Sequence, residues 1–219
     1  MSAANLRFLH DQLPAFSTAA GLTVVLAVLS MVCAMAWGLM LAAPAMSRRA
    51  WLRYPATAYI ELMRNTPLLI QIYVIYFGFP LIGLNYSSFT CGVIGIAAQH
   101  GAFLAEIYRA GIQSIDRRQG EAAHALGMTR VLAMRLVILP QALARVTPML
   151  TNQLIVLLKD TSLLASIGVL EMTLTAKMII ERTGASFQVF VLVALAYLAM
   201  TSALGLLARA LELRQARRR

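Results

Sequence analysis

The chain has 219 residues, is 60% hydrophobic and only 13% charged, and carries a formal net charge of +10. Soluble domains average about 45–50% apolar and about 25% charged residues, so this balance is that of a membrane protein. The basic residues sit in particular connections between apolar runs, which argues against a nucleic-acid partner.

The stretches Gln12–Ser47, Asn65–Ala105 and Thr183–Ala208 contain no Asp, Glu, Lys or Arg. Each is long enough for a helix across a hydrocarbon core of about 30 Å, which needs about 20 residues. The first run is too long for the core of a cleavable signal, and only Arg7, offset by Asp11, precedes it, so it reads as a retained span. Backbone groups in a bilayer must be satisfied internally. The expected fold is therefore all-α: a polytopic bundle with spans at 17–43, 57–79, 88–112, 137–158 and 185–208. Cys33 and Cys91 fall in or beside apolar segments and read as small buried hydrophobes.

The first connection carries Arg48, Arg49 and Arg53, whereas the second, LIGLNYSS, carries no charge. The third carries Arg117, Arg118 and Arg130, with Arg109 and Arg135 at its edges. The fourth is mixed, and the chain ends RQARRR, read as an anchor facing lipid. Positive charge on alternate connections places the N-terminus outside and the C-terminus in the cytoplasm. Residues 161–182 are apolar enough to raise a further crossing, but Glu171 and Lys177 would then lie in lipid. A helix packed against the outer side of the bundle is the expectation there.

The third connection has helix-forming signals. Asp116 followed by Gln119 fits a capping-box-like start, the carboxylate accepting backbone N–H groups and the amide reaching back. Glu121, Ala122, Ala123, Ala125 and Leu126 favour helix, and Gly127 suits the left-handed turn that ends one. A second short helix follows through Met134, and Pro140 suits the first turn of the next span. A compact helix–turn–helix over about 116–134 results, with small alanines for close approach and Glu121 as a charge for a partner's arginine or lysine. An amphipathic helix anchored to anionic lipid by its arginines is the plainer reading of the same residues.

Charges at membrane depth pair or face a cavity. Glu61 and Arg64, and likewise Glu106 and Arg109, are three apart on a helix face and are expected to form ion pairs of structural or gate-clamping kind. The proline of Thr66-Pro67 can free a carbonyl and kink its span. Lys159-Asp160-Thr161-Ser162 supplies an anion for an ammonium and donors for a carboxylate at a helix break, the groups an amino acid zwitterion requires. The same residues also serve as a helix cap, and the two roles are compatible. Gln153, two turns before Asp160, and Asn152 beside it favour a neutral or mixed polar ligand. His10, His100 and His124 are scattered without metal spacing, and neither a metal site nor a catalytic group is expected.

The stretch EAAHALGMTRVLAMRLVILP (121–140) resembles the signature of permease subunits in bacterial binding-protein-dependent ABC importers. YIELMRNTPLLIQIYVIYFGFP (59–80), AFLAEIYRAGIQSI (102–115) and LLKDTSLLASIGVLEM (157–172) resemble the polar amino acid branch of that family. The resemblance runs over about 17–210 and implies one type I importer transmembrane domain over 1–219, in the bacterial cytoplasmic membrane. It departs at Asp116-Arg117-Arg118-Gln119-Gly120, where the family usually reads like Pro-Lys-Gly-Gln and a bulky residue. Gly120 within the first helix costs roughly 1 kcal/mol of helix propensity.

The resemblance implies that Glu121, Ala122, Ala123 and Gly127 belong to a coupling helix pair seated in an ATPase subunit. It also implies a second permease chain, identical or homologous, and an amino acid-binding protein on the outer side. A P-loop needs Gly-Lys before Ser or Thr, and the only lysines, Lys159 and Lys177, follow Leu158 and Ala176. No cofactor is expected in this chain, and Mg-ATP would be held by the partner. A self-sufficient secondary transporter and a membrane scaffold that docks a cytosolic protein are the rival readings.

Overall fold

A computed structural model describes the backbone of residues 3–216 and the side chains of residues 12–210. The readings that concern the side chains of Arg7, His10, Asp11 and the terminal RQARRR fall outside the described residues. Among those described, the regular elements are helical: α1 (Ala3–Ala45), α2 (Ala50–Arg64), α3 (Leu68–Gly78), α4 (Ser88–Gln113), α5 (Arg117–Ala125), α6 (Arg130–Ala133), α7 (Leu139–Asp160), α8 (Met172–Thr183) and α9 (Ser186–Ala216). Four stretches are long and apolar enough to cross a membrane: Gln12–Ala45, Ser88–Gln113, Arg130–Ile167 and Ser186–Ala210. The pair α2–α3 makes a fifth only if its two halves count together. The all-α membrane bundle expected from the sequence is the fold observed.

Two expected elements differ in detail. The span expected over 57–79 is two helices joined through a sharp bend at Asn65-Thr66-Pro67. Pro67 has no N–H to continue the ladder, and its ring disfavours a helical Thr66. The second short helix of the third connection does not stop at Met134 either. α6 passes through a π-helical segment, Met134–Ile138, directly into α7. Leu139 N–H bonds to Met134 C=O, five residues back, so the ladder widens directly before Pro140, which has no N–H to donate.

The contacts divide the chain into two compact units. The first contains residues 1–32, 67–96 and 155–203. Its core joins Phe16 and Ala19 of α1, Met172, Ala176 and Ile179 of α8, and Val189 and Val193 of α9. Spacings of four and three put the α8 residues on one face, which packs against α1 and α9. Glu171 caps α8, its carboxylate accepting the N–H groups of Thr173 (2.8 Å) and Leu174 (2.9 Å). Tyr197 O–H donates to the same carboxylate at 3.0 Å, and Thr23 Oγ1 accepts Met172 N–H at 3.2 Å. Glu171 has no exposed surface, and burial pushes its carboxyl above the usual range against the pull of these hydrogen bonds. At 12 residues α8 is about 18 Å long and cannot cross the core alone. Residues 161–182 are thus a 3-10 segment (Thr161–Ile167), a left-handed turn at Gly168 and a packed short helix, as the charges of Glu171 and Lys177 suggest.

The second unit contains residues 33–66, 97–154 and 204–219. Here α1 and α4 touch backbone to backbone. A Cβ on Gly38 would stand 2.8 Å from Leu104 Cβ and 2.9 Å from the Gly101 carbonyl oxygen, and Gly101 in turn faces Trp37. Small residues at such crossings let helices approach without a hydrophobic driving force. Trp37 Nε1–H donates to Tyr59 Oη at 2.9 Å, and Tyr59 O–H donates to Ala98 C=O at 3.3 Å, so α2 is tied to both.

Candidate functional site

The third connection folds as a capped helical elbow. Asp116 is the N-cap of α5 and accepts Arg118 N–H at 3.0 Å. The Gln119 amide does not reach back as expected; its oxygen accepts instead from Gln141 Nε2 of α7 at 3.3 Å, tying elbow to span. Gly127 has φ +80, Gly127 N–H bonds to His124 C=O, and Met128 N–H bonds to Ala123 C=O. This pair of bonds is the Schellman arrangement, and glycine takes its left-handed residue without steric cost. Thr129 then caps α6 by accepting Leu132 N–H at 3.3 Å, a start signal the sequence reading passed over. Ala123 is buried in its own unit, whereas Glu121, Ala122, Leu126 and Val131 are exposed. Ala122 and its exposed neighbours therefore form the accessible face of the elbow, and Ala123 packs inward.

The polar segment after α7 is sorted by burial. α7 ends at Asp160, and the 3-10 segment begins at Thr161. Asp160 makes no side-chain cap for that segment. Thr161 is fully buried and donates to Leu158 C=O at 2.7 Å. Lys159 is exposed, and Asp160 and Ser162 are half-buried. Among the six residues expected to meet a zwitterion, Thr161 thus holds the turn, while Lys159, Asp160 and Ser162 keep accessible polar surface. In the second unit, Asn152 is exposed and Gln153 Nε2 lies 2.7 Å from Nδ1 of His100, which is 1% exposed. His100, read as incidental from sequence, positions Gln153.

The membrane-depth charges form one network rather than two pairs. Glu106 accepts from Arg109 through both oxygens, Nε at 3.0 Å and Nη2 at 2.6 Å, as expected. Arg64 does not pair with Glu61. It reaches across to Glu106 at 3.7 Å and lies over the Phe103 ring at 5.4 Å from its centroid. The carboxylate on α4 already carries the bidentate partner and offers a fixed target. Gln99, which the sequence reading did not single out, donates to Met63 C=O (3.1 Å) and Thr66 C=O (2.9 Å), serving carbonyls at the break after α2. An amide within the uncharged run 65–105 was the available signal.

The family described as "Binding-protein-dependent transport system inner membrane component" matches residues 34–217. The chain belongs to that family. This inner membrane component is 36% identical over 208 residues to the probable amino-acid ABC transporter permease protein YckA of Bacillus subtilis (strain 168), covering 95% of this chain and 92% of that protein. It is 40% identical over 163 residues to the probable glutamine ABC transporter permease protein GlnM of the same organism, covering 74% and 76%. Among solved structures, it superimposes on a chain of an amino acid ABC transporter crystallised with histidines at a TM-score of 0.91 and 37% identity, over 98% of this chain and all of that one. It is thus a multi-pass membrane permease subunit.

In this permease, Glu106→Gln is expected to remove the charge that holds Arg64 and Arg109 together. Exposed pairs contribute about 0–1 kcal/mol and breaking buried ones costs about 3–5 kcal/mol. Glu106 is a quarter exposed, so a loss of about 1–3 kcal/mol is expected. Thermal unfolding of the detergent-solubilised protein measures it, and an unchanged midpoint would show that solvent screens the network.

Proposed function

We propose that this chain is the membrane-spanning subunit of an ABC importer that carries polar amino acids inward, driven by ATP on separate ATPase subunits. The observation that carries the reading is the α5–Gly127–α6 elbow. It is held on one side by the buried Ala123 and the Gln119–Gln141 bond, and on the other it presents exposed Glu121, Leu126 and Val131. α6 continues without a break into α7, so a push on the elbow is passed into a span. The matched relatives named as amino-acid and glutamine ABC transporter permeases support the substrate class.

In this reading Glu121, Ala122 and Gly127 meet the ATPase, and Ala123 and Gly127 keep the elbow in shape. Mg-ATP is held by that partner, a second permease chain completes the pathway, and an outer-side binding protein delivers the amino acid. The arginine-bearing connections face the cytoplasm and the N-terminus lies outside. Asp160 accepts the substrate ammonium, with Lys159 and Ser162 donating to its carboxylate, and Asn152 and Gln153 are candidates for polar substrate contact within their own unit.

Proteoliposomes containing the permease, its ATPase and the binding protein test this. Labelled L-glutamine and L-arginine should accumulate only with ATP inside the compartment that the ATPase faces. Accumulation by this chain alone under an ion gradient would refute the assignment. Asp160→Asn should leave assembly intact and lower uptake by about tenfold or more, since removing one partner of a desolvated charged hydrogen bond costs about 2–5 kcal/mol. Unchanged KM and rate would take Asp160 out of the pathway.

A further inference from the structure

We propose that a second amino acid station lies between α2 and α4, where Glu61 takes the ammonium of a free zwitterion and Arg64 and Arg53 take its carboxylate. The proposal rests on the transport reading above and names a site separate from Asp160. Arg53, Thr57, Glu61 and Arg64 follow one another at spacings of four, four and three, so they share one face of α2. That face and Glu106 and Arg109 of α4 line a cavity of about 330 Å³, all within the second unit. Asp160 and Ser162 belong to the first.

What marks the cavity is how its charges are spent. Both oxygens of Glu106 are taken by Arg109, whose Nη1 also donates to Gln113 at 3.0 Å. Arg64 is drawn off to Glu106 by a single long contact of 3.7 Å, so most of its five N–H donors are unused. Arg53 lies over the Tyr54 ring at 5.3 Å from its centroid, and its guanidinium makes no ion pair among the described residues. The Glu61 carboxylate, whose natural partner three residues on has turned away, has neither a hydrogen bond nor an ion pair among the described residues. The cavity therefore presents an unspent carboxylate and unspent guanidinium donors on one helix face.

A bare anion would meet Glu61 and be repelled; a bare cation would meet three arginines. A zwitterion satisfies both, with the carboxylate bidentate on a guanidinium. The Thr57 hydroxyl is a further donor on the same face. Ala45, the last residue of α1, is part of the wall, and Arg48 and Arg49 come three and four residues later. Under the proposed orientation those arginines mark the cytoplasmic side, so the station stands where an amino acid leaves. It reads only the groups common to all amino acids, and glycine is the sufficient probe.

The test uses the complete transporter in inside-out vesicles, with Thr57→Cys in a Cys33→Ser background and alkylation of the new thiol as the local readout. Glycine at ten times its dissociation constant should slow alkylation roughly tenfold, a constant near millimolar being ample for an exit site. Glu61→Gln should abolish the protection, whereas Asp160→Asn should retain it. Acetate or ethylammonium alone should protect far less. The station is overturned if glycine gives no protection, if Glu61→Gln leaves protection unchanged, or if acetate protects as well as glycine. ATP-driven release of labelled amino acid from a lumen loaded with the binding protein, measured on the same vesicles, separates the two claims: release without protection removes only the station, and its absence with every amino acid tried removes the transport reading.

Discussion

Glu121→Arg should abolish ATP-driven uptake while leaving the permease folded and in the membrane. Glu121 is exposed on α5, and no hydrogen bond or ion pair holds its side chain among the described residues, so its replacement removes no side-chain contact from the fold. The helix under it is fixed independently, by the Asp116 cap, the Gly127 turn and the Gln119–Gln141 bond. If the elbow sits against a basic surface of an ATPase subunit, the substitution turns an attraction into a like-charge contact, which costs several kcal/mol. Uptake should fall by two orders of magnitude or more, and co-purification of the ATPase should fall with it. A reciprocal acidic substitution on the ATPase should restore both. Normal uptake by Glu121→Arg would mean that the elbow is only a lipid-facing helix.

Gly38→Leu should prevent stable accumulation of the protein, whereas Gly21→Leu on the same helix should be tolerated. A Cβ at position 38 meets Leu104 Cβ at 2.8 Å, the Gly101 carbonyl oxygen at 2.9 Å and the Ala105 nitrogen at 3.2 Å. Two of these are backbone atoms and the third is a Cβ, so no rotamer change can relieve the contact. Even alanine should cost about 1–3 kcal/mol, the usual penalty of overpacking, and leucine more. Trimming Leu104 to alanine should fail to rescue Gly38→Leu, because the clashing atoms remain. At Gly21 nothing lies within 4 Å of the added Cβ, and leucine gains about 0.8–1 kcal/mol of helix propensity. Membrane levels and thermal midpoints of the two variants decide the matter; equal behaviour would overturn the close packing of α1 on α4.

The same contrast separates what could be read early from what could not. The caps of the elbow were legible because they are local: Asp116 and Gly127 act on backbone groups within three or four residues of themselves. The bend after Arg64 was half legible. Pro67 announces that the helix cannot continue, but only the fold shows Gln99 receiving Met63 and Thr66. The ion pairs divided in the same way. Arg109 took the neighbour three residues before it, and Arg64 did not, because a doubly held carboxylate on another helix was within reach. Thr161 looked available in the sequence and is spent on Leu158 C=O, while His100 looked incidental and lies against Gln153.

By itself the sequence determined that the chain is an all-helical membrane bundle, roughly where it crosses, and that an elbow capped at Asp116 and Gly127 interrupts it. Apolar run length, helix period and terminal capping are properties of a few consecutive residues, and the bilayer leaves little else for them to do. Only the tertiary structure decided which face of α5 is free, where Arg64 goes, why Glu61 is left to a cavity, and how Glu171 can be buried at all. Those outcomes depend on which groups distant in the chain come within about 3 Å of one another. Hydrogen-bond and ion-pair energies fall off over such distances, so residue spacing along one helix cannot fix the partner.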